Sequence, residues 1–243
     1  MAELAMNKTH PEFKRGFQSG VSIAIGYAPI AITFGLLAKT TGLTFGETIL
    51  MSLIVFAGAS QYISLSLISL GTGVFEIILT TFIVNIRHFL MSAALNEKSE
   101  KGQTINKAVY SFGITDETFS VAAMRDDTVT SGYMFGLNLI SYCSWVLCSG
   151  VGFYLGANLP QTLQESMSIA LYAMFIGLLT PSMKKSMKVV FLAALAACLN
   201  TVFTMTTELS TGWAIVISTL ISAVLVELIE GMKAKTGEEE DEK

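Results

Sequence analysis

The 243-residue sequence is poor in charged side chains, proline and cysteine. Only 14% of its residues are charged, whereas 52% are hydrophobic, and the mean hydropathy is +0.59. Soluble domains carry about 25% charged residues, so this composition indicates an integral membrane protein. The three cysteines, Cys143, Cys148 and Cys198, lie within apolar segments and are predicted to be small packing residues rather than disulfides or metal ligands.

Motifs for the commonest enzyme chemistries are also missing. The sequence has two histidines and contains no Gly-Lys-Ser/Thr phosphate loop, no Gly-x-Ser-x-Gly, no His-Glu-x-x-His and no paired CxxC. We therefore expect no enzyme activity, no cofactor and no metal site. A solute moved by this protein would be driven by an ion gradient, by its own gradient or by a separate subunit.

The sequence predicts one transmembrane domain between two polar ends. Residues 1–16 lack the features of a removable signal peptide and predict a cytoplasmic N-terminal segment. Residues 17–231 form the predicted transmembrane domain. Residues 232–243 contain the acidic run Glu238-Glu239-Glu240-Asp241-Glu242 and predict a disordered acidic cytoplasmic tail.

The predicted fold is an all-α polytopic membrane protein, a bundle of about seven or eight transmembrane helices with some broken or re-entrant. Seven apolar segments are good candidates for spans, and a less apolar eighth is doubtful. The seven lie at 17–38, 47–70, 74–95, 133–157, 166–182, 188–207 and 212–230, and the eighth at 108–124. We find no convincing internal repeat among them.

The positions of lysine and arginine fit this reading only in the second half of the chain. Lys14 and Arg15 place the N-terminus in the cytoplasm, but three full crossings would then put Lys98, Lys101 and Lys107 outside, against the positive-inside rule. Either 108–124 crosses the membrane, or one of the first three segments is broken or re-entrant and 108–124 dips in or lies at the surface. Hydropathy does not choose between these alternatives.

Two places could break a membrane helix. Pro29 removes one helical hydrogen bond in the middle of the first segment. Gly58-Ala59-Ser60-Gln61 puts a small, polar stretch at the centre of the second. Broken backbone at this depth is tolerated where it is buried in protein or lines a watery cavity, and transporters use it for substrate sites. Both features also have a plainer reading, as a kink and as close helix packing.

Arg87 and His88 lie in the middle of the third segment, where ionisable groups are costly and usually functional. On a helix, Asn85 and His88 share one polar stripe with Thr81 and Ser92, while Arg87 points about 100° away. Arg87 could bind an anionic group, and His88 could hydrogen-bond or transfer a proton. The alternative is a purely structural ion pair of Arg87 with Glu76, Asp116 or Glu117.

Asp116 and Glu117 follow Thr115 in a mildly apolar context. They are candidates for a proton-coupling carboxylate. The same sequence is also typical of a helix N-cap, where a threonine caps the first turn and acidic residues interact favourably with the helix dipole. A helix N-terminus at membrane depth could in either case present its amides to an anionic substrate.

The motifs together resemble a known family. The resemblance rests on Gly26-x-x-Pro29, Phe56-Ala57-Gly58-Ala59-Ser60-Gln61, Asn85-Ile86-Arg87-His88-x-x-Met91 and Asp116-Glu117, in that order. This series is similar to the AzlC family, the large subunit of bacterial branched-chain amino acid exporters. The second half matches only in its apolar pattern and in Phe175-x-Gly177-Leu178-Leu179-x-Pro181.

The resemblance implies a permease of the bacterial inner membrane that exports valine, leucine, isoleucine or their analogues, together with a small AzlD-type membrane subunit. Such a zwitterion needs an anion-binding group, an ammonium acceptor and an apolar pocket. The substrate-binding candidates are Pro29, Gly58, Ser60, Gln61, Asn85, Arg87 and His88, and the proton-coupling candidates are His88, Asp116 and Glu117. The preferred amino acid and any homo-oligomer stay open.

Three other functions remain alternatives. A channel or facilitator for another small solute would use the same polar-lined bundle but would not show saturable, gradient-coupled flux. A membrane-embedded enzyme would use His88 with Asp116 or Glu117 and would form a product. A non-transporting scaffold subunit would need Arg87 and Gln61 for assembly alone.

Overall fold

The computed structural model describes residues 2–155, 176, 179–180, 183–184, 186–207 and 209–241. These residues form helices, with one isolated bridge between Ser99 and Val129. The helices are α1 (Ala2–Thr40), α2 (Phe45–Ile54), α3 (Gly58–Ser69), α4 (Val74–Lys98), α5 (Thr104–Ser111), α6 (Asp116–Ala123), α7 (Ser131–Leu155), α8 (Met187–Thr206) and α9 (Thr211–Asp241). The predicted all-helical class is confirmed.

Five stretches in the described part of the chain are long and apolar enough to cross a membrane. They are Pro11–Thr40, Val74–Lys98, Ser131–Leu155, Met187–Thr206 and Thr211–Glu230. The predicted segment 166–182 falls largely outside the described residues. A bundle of seven or eight spans is therefore not confirmed.

The other two predicted segments are not single helices. Residues 47–70 divide into α2 and α3 around Val55-Phe56-Ala57, and residues 108–124 divide into α5 and α6. We call α2–α3 the first hairpin and α5–α6 the second hairpin. At 1.5 Å per residue, the eight-residue α5 and α6 are each too short to cross a bilayer, so 108–124 is not one continuous crossing helix. The alternative in which 108–124 crosses the membrane is not confirmed.

The contacts divide the chain into two compact units. The first comprises Met1–Ser66 and Val84–Leu171, and the second comprises Leu67–Ile83 and Tyr172–Lys243. Helices α3 and α4 begin in one unit and end in the other. The single domain predicted over 17–231 includes residues of both units, and it stays a prediction.

The first unit is built on the parallel pair α1 and α7, whose backbones touch at glycines. A Cβ on Gly16 would lie 2.0 Å from the Tyr133 carbonyl oxygen, and one on Gly35 would lie 1.9 Å from that of Ser149. From the other side, Gly136 and Gly152 would meet carbonyls of α1 in the same way. Small residues let membrane helices approach this closely.

The first hairpin enters at the C-terminal end of this pair. Phe45, at the start of α2, packs its ring on Phe153 and Tyr154 near the end of α7. At the break, Phe56 reaches Tyr142 in the middle of α7. Helix α3 then returns towards the C-terminal end of α1. Phe56, just before α3, packs on Tyr27, whereas Tyr62, within α3, packs on Phe34, seven residues further along α1.

The second hairpin enters from the opposite end. At the start of α5, Lys107 donates to Asn96 near the end of α4, and the backbone at Lys98 and Glu100 pairs with Val129 just before α7. Helix α6 returns to this end, where Lys98 Nζ donates to the Ala123 and Arg125 carbonyls. The two hairpins therefore approach the middle of α1 and α7 from opposite ends.

In the second unit, Glu76 caps the start of α9. Its carboxylate accepts hydrogen bonds from the Ser210 hydroxyl and from the Trp213 backbone nitrogen, the latter at 3.0 Å. Lys188 of α8 pairs with Glu227 at 2.8 Å and Glu230 at 2.7 Å on α9. The backbone of α9 is helical through Asp241, and the predicted disorder of residues 232–243 stays a prediction.

Helix α1 does not break at Pro29. It is continuous from Ala2 to Thr40, Pro29 is exposed, and the Pro29 carbonyl accepts a hydrogen bond from Thr33 Oγ1 at 2.9 Å. A proline on an exposed helix face loses one hydrogen bond without requiring the helix to end. The predicted break at this position is therefore wrong, whereas the predicted weakness near Gly58 lies directly after a real break.

Candidate functional site

The break of the second hairpin is held by threonines. Thr115 is the N-cap of α6, with its hydroxyl accepting from the Thr118 backbone nitrogen at 3.3 Å, while Thr118 Oγ1 accepts from the Thr115 nitrogen at 2.8 Å. Both threonines are buried. This reciprocal cap fixes where α6 begins, and it confirms the capping reading of the Thr115-Asp116-Glu117 sequence.

Arg87 and Asp116 form an ion pair at this break. Arg87 Nη2 lies 3.0 Å from Asp116 Oδ2, and the two side chains are 37% and 29% exposed. The structural alternative named Glu76, Asp116 or Glu117 as partners, and Asp116 is the one that is paired. About a third of each side chain is exposed, so the pair is not sealed inside the described part of the chain.

Glu117 is bound by a residue that the sequence analysis did not single out. The Tyr27 hydroxyl, on α1, donates to Glu117 Oε2 at 2.5 Å and lies 2.7 Å from Thr115 Oγ1. Tyr27 is 5% exposed, so the start of α6 is tied to the middle of α1 by a buried hydrogen-bond chain. The signal in the sequence was slight: one hydroxyl-bearing aromatic beside Gly26 in an apolar span.

His88 lies next to the same break. The Nε2 of its ring is buried without a partner among the described residues. Arg87 Nε is also buried without a hydrogen-bond partner among the described residues. Buried polar atoms in proteins are nearly always paired, so these two atoms mark a place suited to a polar group of a ligand.

Ser60 connects the first hairpin to α4. Its buried hydroxyl donates to Asn85 Oδ1 at 2.6 Å. Asn85 lies two residues before Arg87 on the same helix. Six of the nine predicted site residues thus have contacts in two groups. Ser60 binds Asn85, whereas Arg87, His88, Asp116 and Glu117 lie together at the second break, and we call this second group the polar path.

Gln61 has a different position and a different task. It is fully buried, and its Nε2 donates to the carbonyls of Met51 at 3.1 Å and Val55 at 2.7 Å, at the end of α2. Its Oε1 accepts from Trp145 Nε1 at 2.9 Å. Every polar atom of the side chain has a protein partner, so Gln61 replaces the hydrogen bonds that the helix loses at the break.

Gly58 and Pro29 lie outside this polar path. A Cβ on Gly58 would come within 2.6 Å of the Trp145 ring, so this glycine makes room for the indole at the start of α3. Pro29 is exposed on α1. Neither residue presents a side-chain group that could bind the charged end of a substrate.

An aromatic cluster fills the space where the two hairpin tips meet. Ring centroids lie 6.5 Å apart for Phe56 and Phe112, and Tyr142 packs 5.3 Å from Phe56 and 5.8 Å from Phe112. Tyr27 joins this cluster to the polar path, because its ring packs on Phe56 and Trp145 while its hydroxyl binds Glu117. We call these five residues the tip cluster: Tyr27, Phe56, Phe112, Tyr142 and Trp145.

A second polar region lies at the end of the first unit where α1 and α7 begin. Here an open cleft of about 850 Å³ is lined by residues that include Glu12, Arg15, Glu100 and Arg125. Glu12 pairs with Arg15 at 2.8 Å and Arg125 at 3.1 Å, and Glu100 accepts from the Ser131 nitrogen. These charges anchor the start of α7. No group of metal-binding side chains occurs among the residues that the structure describes.

Comparison with known proteins agrees with this architecture. The AzlC protein family matches residues 22–159, which contain both hairpins and the whole polar path. The chain belongs to the AzlC family. It is therefore a multi-pass membrane protein. A relative from Bacillus subtilis, the branched-chain amino acid transport protein AzlC, is 24% identical over 72% of this chain and 70% of its own length. The name of this relative points to a transport protein rather than an enzyme.

Two further relatives cover similar shares. An uncharacterized membrane protein of Archaeoglobus fulgidus is 31% identical over 71% of this chain and 76% of its own length. The inner membrane protein YgaZ of Escherichia coli is 28% identical over 77% of this chain and 80% of its own. No solved structure matches the chain.

Proposed function

We propose that this AzlC-family protein is a permease that exports branched-chain amino acids across a bacterial inner membrane. The observation that carries the proposal is the partly exposed Arg87–Asp116 pair, which lies at a helix break between apolar spans. Glu117, next to Asp116 in the chain, is linked through Tyr27 to the tip cluster. The name of the Bacillus subtilis relative supplies the substrate class.

The pair suits a zwitterion. A substrate carboxylate would bind Arg87, helped by the unpartnered Arg87 Nε, and its ammonium would bind Asp116, so the substrate exchanges one ion pair for two. No charge is left uncompensated when it enters. The aliphatic side chain would then pack against the tip cluster, where aromatic and apolar side chains provide an apolar surface.

Proton coupling is the second part of the proposal. His88 and Glu117 lie beside the ion pair and are the proposed carriers of the coupled proton. Coupling would allow export against a gradient. An AzlD-type small membrane subunit completes the proposed transporter, as the family resemblance implies.

Valine efflux tests the proposal. Cells preloaded with a valine dipeptide, with the small subunit co-expressed, should export valine, and a protonophore should slow the export. Arg87→Ala should lower efflux at least about tenfold at equal membrane abundance, because a hydrogen bond to a charged group is worth about 1.5–3 kcal/mol. Arg15→Ala is the matched control, since Arg15 is 65% exposed and distant in sequence from the polar path.

A double variant separates binding from structure. If the pair only locked the helices together, Arg87→Gln with Asp116→Asn would restore function, because neither side chain would then be left with an unpaired charge. We expect instead a protein of normal abundance that exports no valine. Efflux no greater than that of empty cells from the native protein itself would overturn the substrate assignment, and efflux that rises linearly with valine concentration would indicate a channel.

A further inference from the structure

The two hairpins repeat one arrangement in opposite directions. Helix α1 is followed by the first hairpin, which enters at the end where α1 finishes. Helix α4 runs the other way and is followed by the second hairpin, which enters at the end where α4 finishes. The first six helices thus form a span and a broken hairpin, then the same pair inverted, although the sequence shows no convincing repeat.

Charge assigns these ends to the two sides of the membrane. The end where α1 begins carries Lys14, Arg15, Lys98, Lys101, Lys107 and Arg125. At the opposite end of the first unit there is little positive charge: residues 16–54, which run from α1 after Arg15 to the end of α2, contain one lysine, Lys39, and no arginine. By the positive-inside rule, the first end faces the cytoplasm. This places Lys98, Lys101 and Lys107 inside and removes the conflict that three full crossings created.

The tips of the hairpins meet at two phenylalanines. Phe56 is 5% exposed, whereas Phe112 is 50% exposed, and their rings lie 6.5 Å apart with Tyr142 against both. Each phenylalanine lies directly before or within the short non-helical stretch that divides its hairpin. A constriction made of apolar rings excludes water and polar solutes.

We propose that Phe56 and Phe112 close the translocation path, each carried on a re-entrant hairpin inserted from its own side of the membrane. The path in question is that of the permease proposed above, so this inference rests on the proposed function. Because the two hairpins are inverted copies of one plan, displacement of either tip opens the path to one side alone. Alternating access needs two such states.

Cysteine labelling tests the topology without any transport measurement. In a background lacking Cys143, Cys148 and Cys198, a membrane-impermeant thiol reagent should label Gly46→Cys and Gly73→Cys in intact cells. Gly102→Cys and Asp126→Cys should react after the membrane is permeabilised. Gly46 and Gly73 have open space for a side chain. Labelling of Gly46→Cys and Gly73→Cys from opposite sides would show that α2–α3 crosses the membrane and would overturn the proposal.

Solute leak tests the phenylalanines. In proteoliposomes, Phe56→Ala with Phe112→Ala should raise glycerol permeability at least fivefold, and replacing both by leucine should restore the native value because leucine keeps the barrier apolar. Phe119→Ala, at a partly buried phenylalanine of α6, is the control. A double alanine variant no more permeable than this control at equal protein content would overturn the barrier. Glycerol flux does not depend on the substrate, so a wrong substrate assignment leaves this result unaffected.

Discussion

The first and second hairpins share a backbone plan and differ in what stabilises their breaks. In the first, Gln61 fills the break with neutral hydrogen bonds to two carbonyls and to Trp145. In the second, a threonine cap is joined by charged groups, Asp116 with Arg87 and Glu117 with Tyr27. Charged groups thus stabilise the break of the second hairpin, whereas neutral groups stabilise the break of the first.

This asymmetry separates two roles. A fully buried, fully paired amide has no free atom with which to bind a solute, so the first hairpin supplies rigidity and an apolar tip. The second hairpin has accessible charges and can therefore respond to a zwitterion or a proton. If this reading is right, changes in the first hairpin should alter stability, and changes in the second should alter transport.

The largest effect on stability should come from separating the helices on which both hairpins rest. Gly35→Leu would put a side chain into the Ser149 carbonyl of α7 and force α1 and α7 apart. Overpacking of this kind costs about 1–3 kcal/mol or more, and here it should lower the unfolding temperature and the monodisperse fraction in detergent. Gly26→Leu is the control on the same helix, because nothing lies within 4 Å of its Cβ position. Equal stability of the two variants would contradict the close α1–α7 contact.

A smaller effect should distinguish the amides that serve the two breaks. Gln61 makes three hydrogen bonds, whereas Asn138 of α7 donates one, to the Tyr110 carbonyl at 2.7 Å at the end of α5. Gln61→Met preserves the volume and leaves the Val55 carbonyl and Trp145 Nε1 without a partner, whereas the Met51 carbonyl keeps its bond from the Val55 nitrogen. It should therefore cost about 2 kcal/mol. Asn138→Leu should cost about 1 kcal/mol. Thermal unfolding in detergent measures both.

The readout that matters for the comparison is transport per folded molecule. Gln61→Met should reduce stability and leave the valine affinity of the folded fraction unchanged, because no atom of Gln61 is available to substrate. A Gln61→Met protein of native stability with weakened valine affinity would return Gln61 to the substrate-binding residues and remove the difference between the hairpins.

The sequence predicted the five long spans but not the shape of the hairpins. A half-helix, a short break and a second half-helix have the same hydropathy as one continuous span, so 47–70 reads as a single segment. The break at Val55-Phe56-Ala57 contains neither glycine nor proline. It depends on Gln61 six residues later and Trp145 on α7, and contacts of that length are not encoded in local propensity.

The site was predictable where it contains ionisable residues, which are energetically costly in a membrane span. Arg87, His88, Asp116 and Glu117 stood out because ionisable groups are rare in apolar segments, and the structure joins them. Tyr27 and Phe112 did not stand out, since aromatic residues are common in membrane helices. Their roles follow from the partners that folding brings to them, Glu117 for one and Phe56 for the other.

The smallest effect concerns the outer end of the first hairpin. Glu47, which lies outside the five long spans, accepts hydrogen bonds from the Thr44 backbone nitrogen and hydroxyl, and these bonds hold the pKa of its carboxyl below the ordinary value of 4.5. A carboxyl whose pKa is lowered on folding stabilises the folded state above its unfolded pKa and loses that contribution as the pH falls through the folded value. The cap of α2 should therefore weaken below about pH 4.5, because Glu47 then loses the charge that the Thr44 hydrogen bonds stabilise. Hydrogen exchange at the first turn of α2 measures the effect, with Glu47→Gln as the variant in which the pH dependence should vanish. A loss of protection on acidification that persists in Glu47→Gln would mean that another group controls the start of α2, and that its cap does not depend on the Glu47 carboxylate.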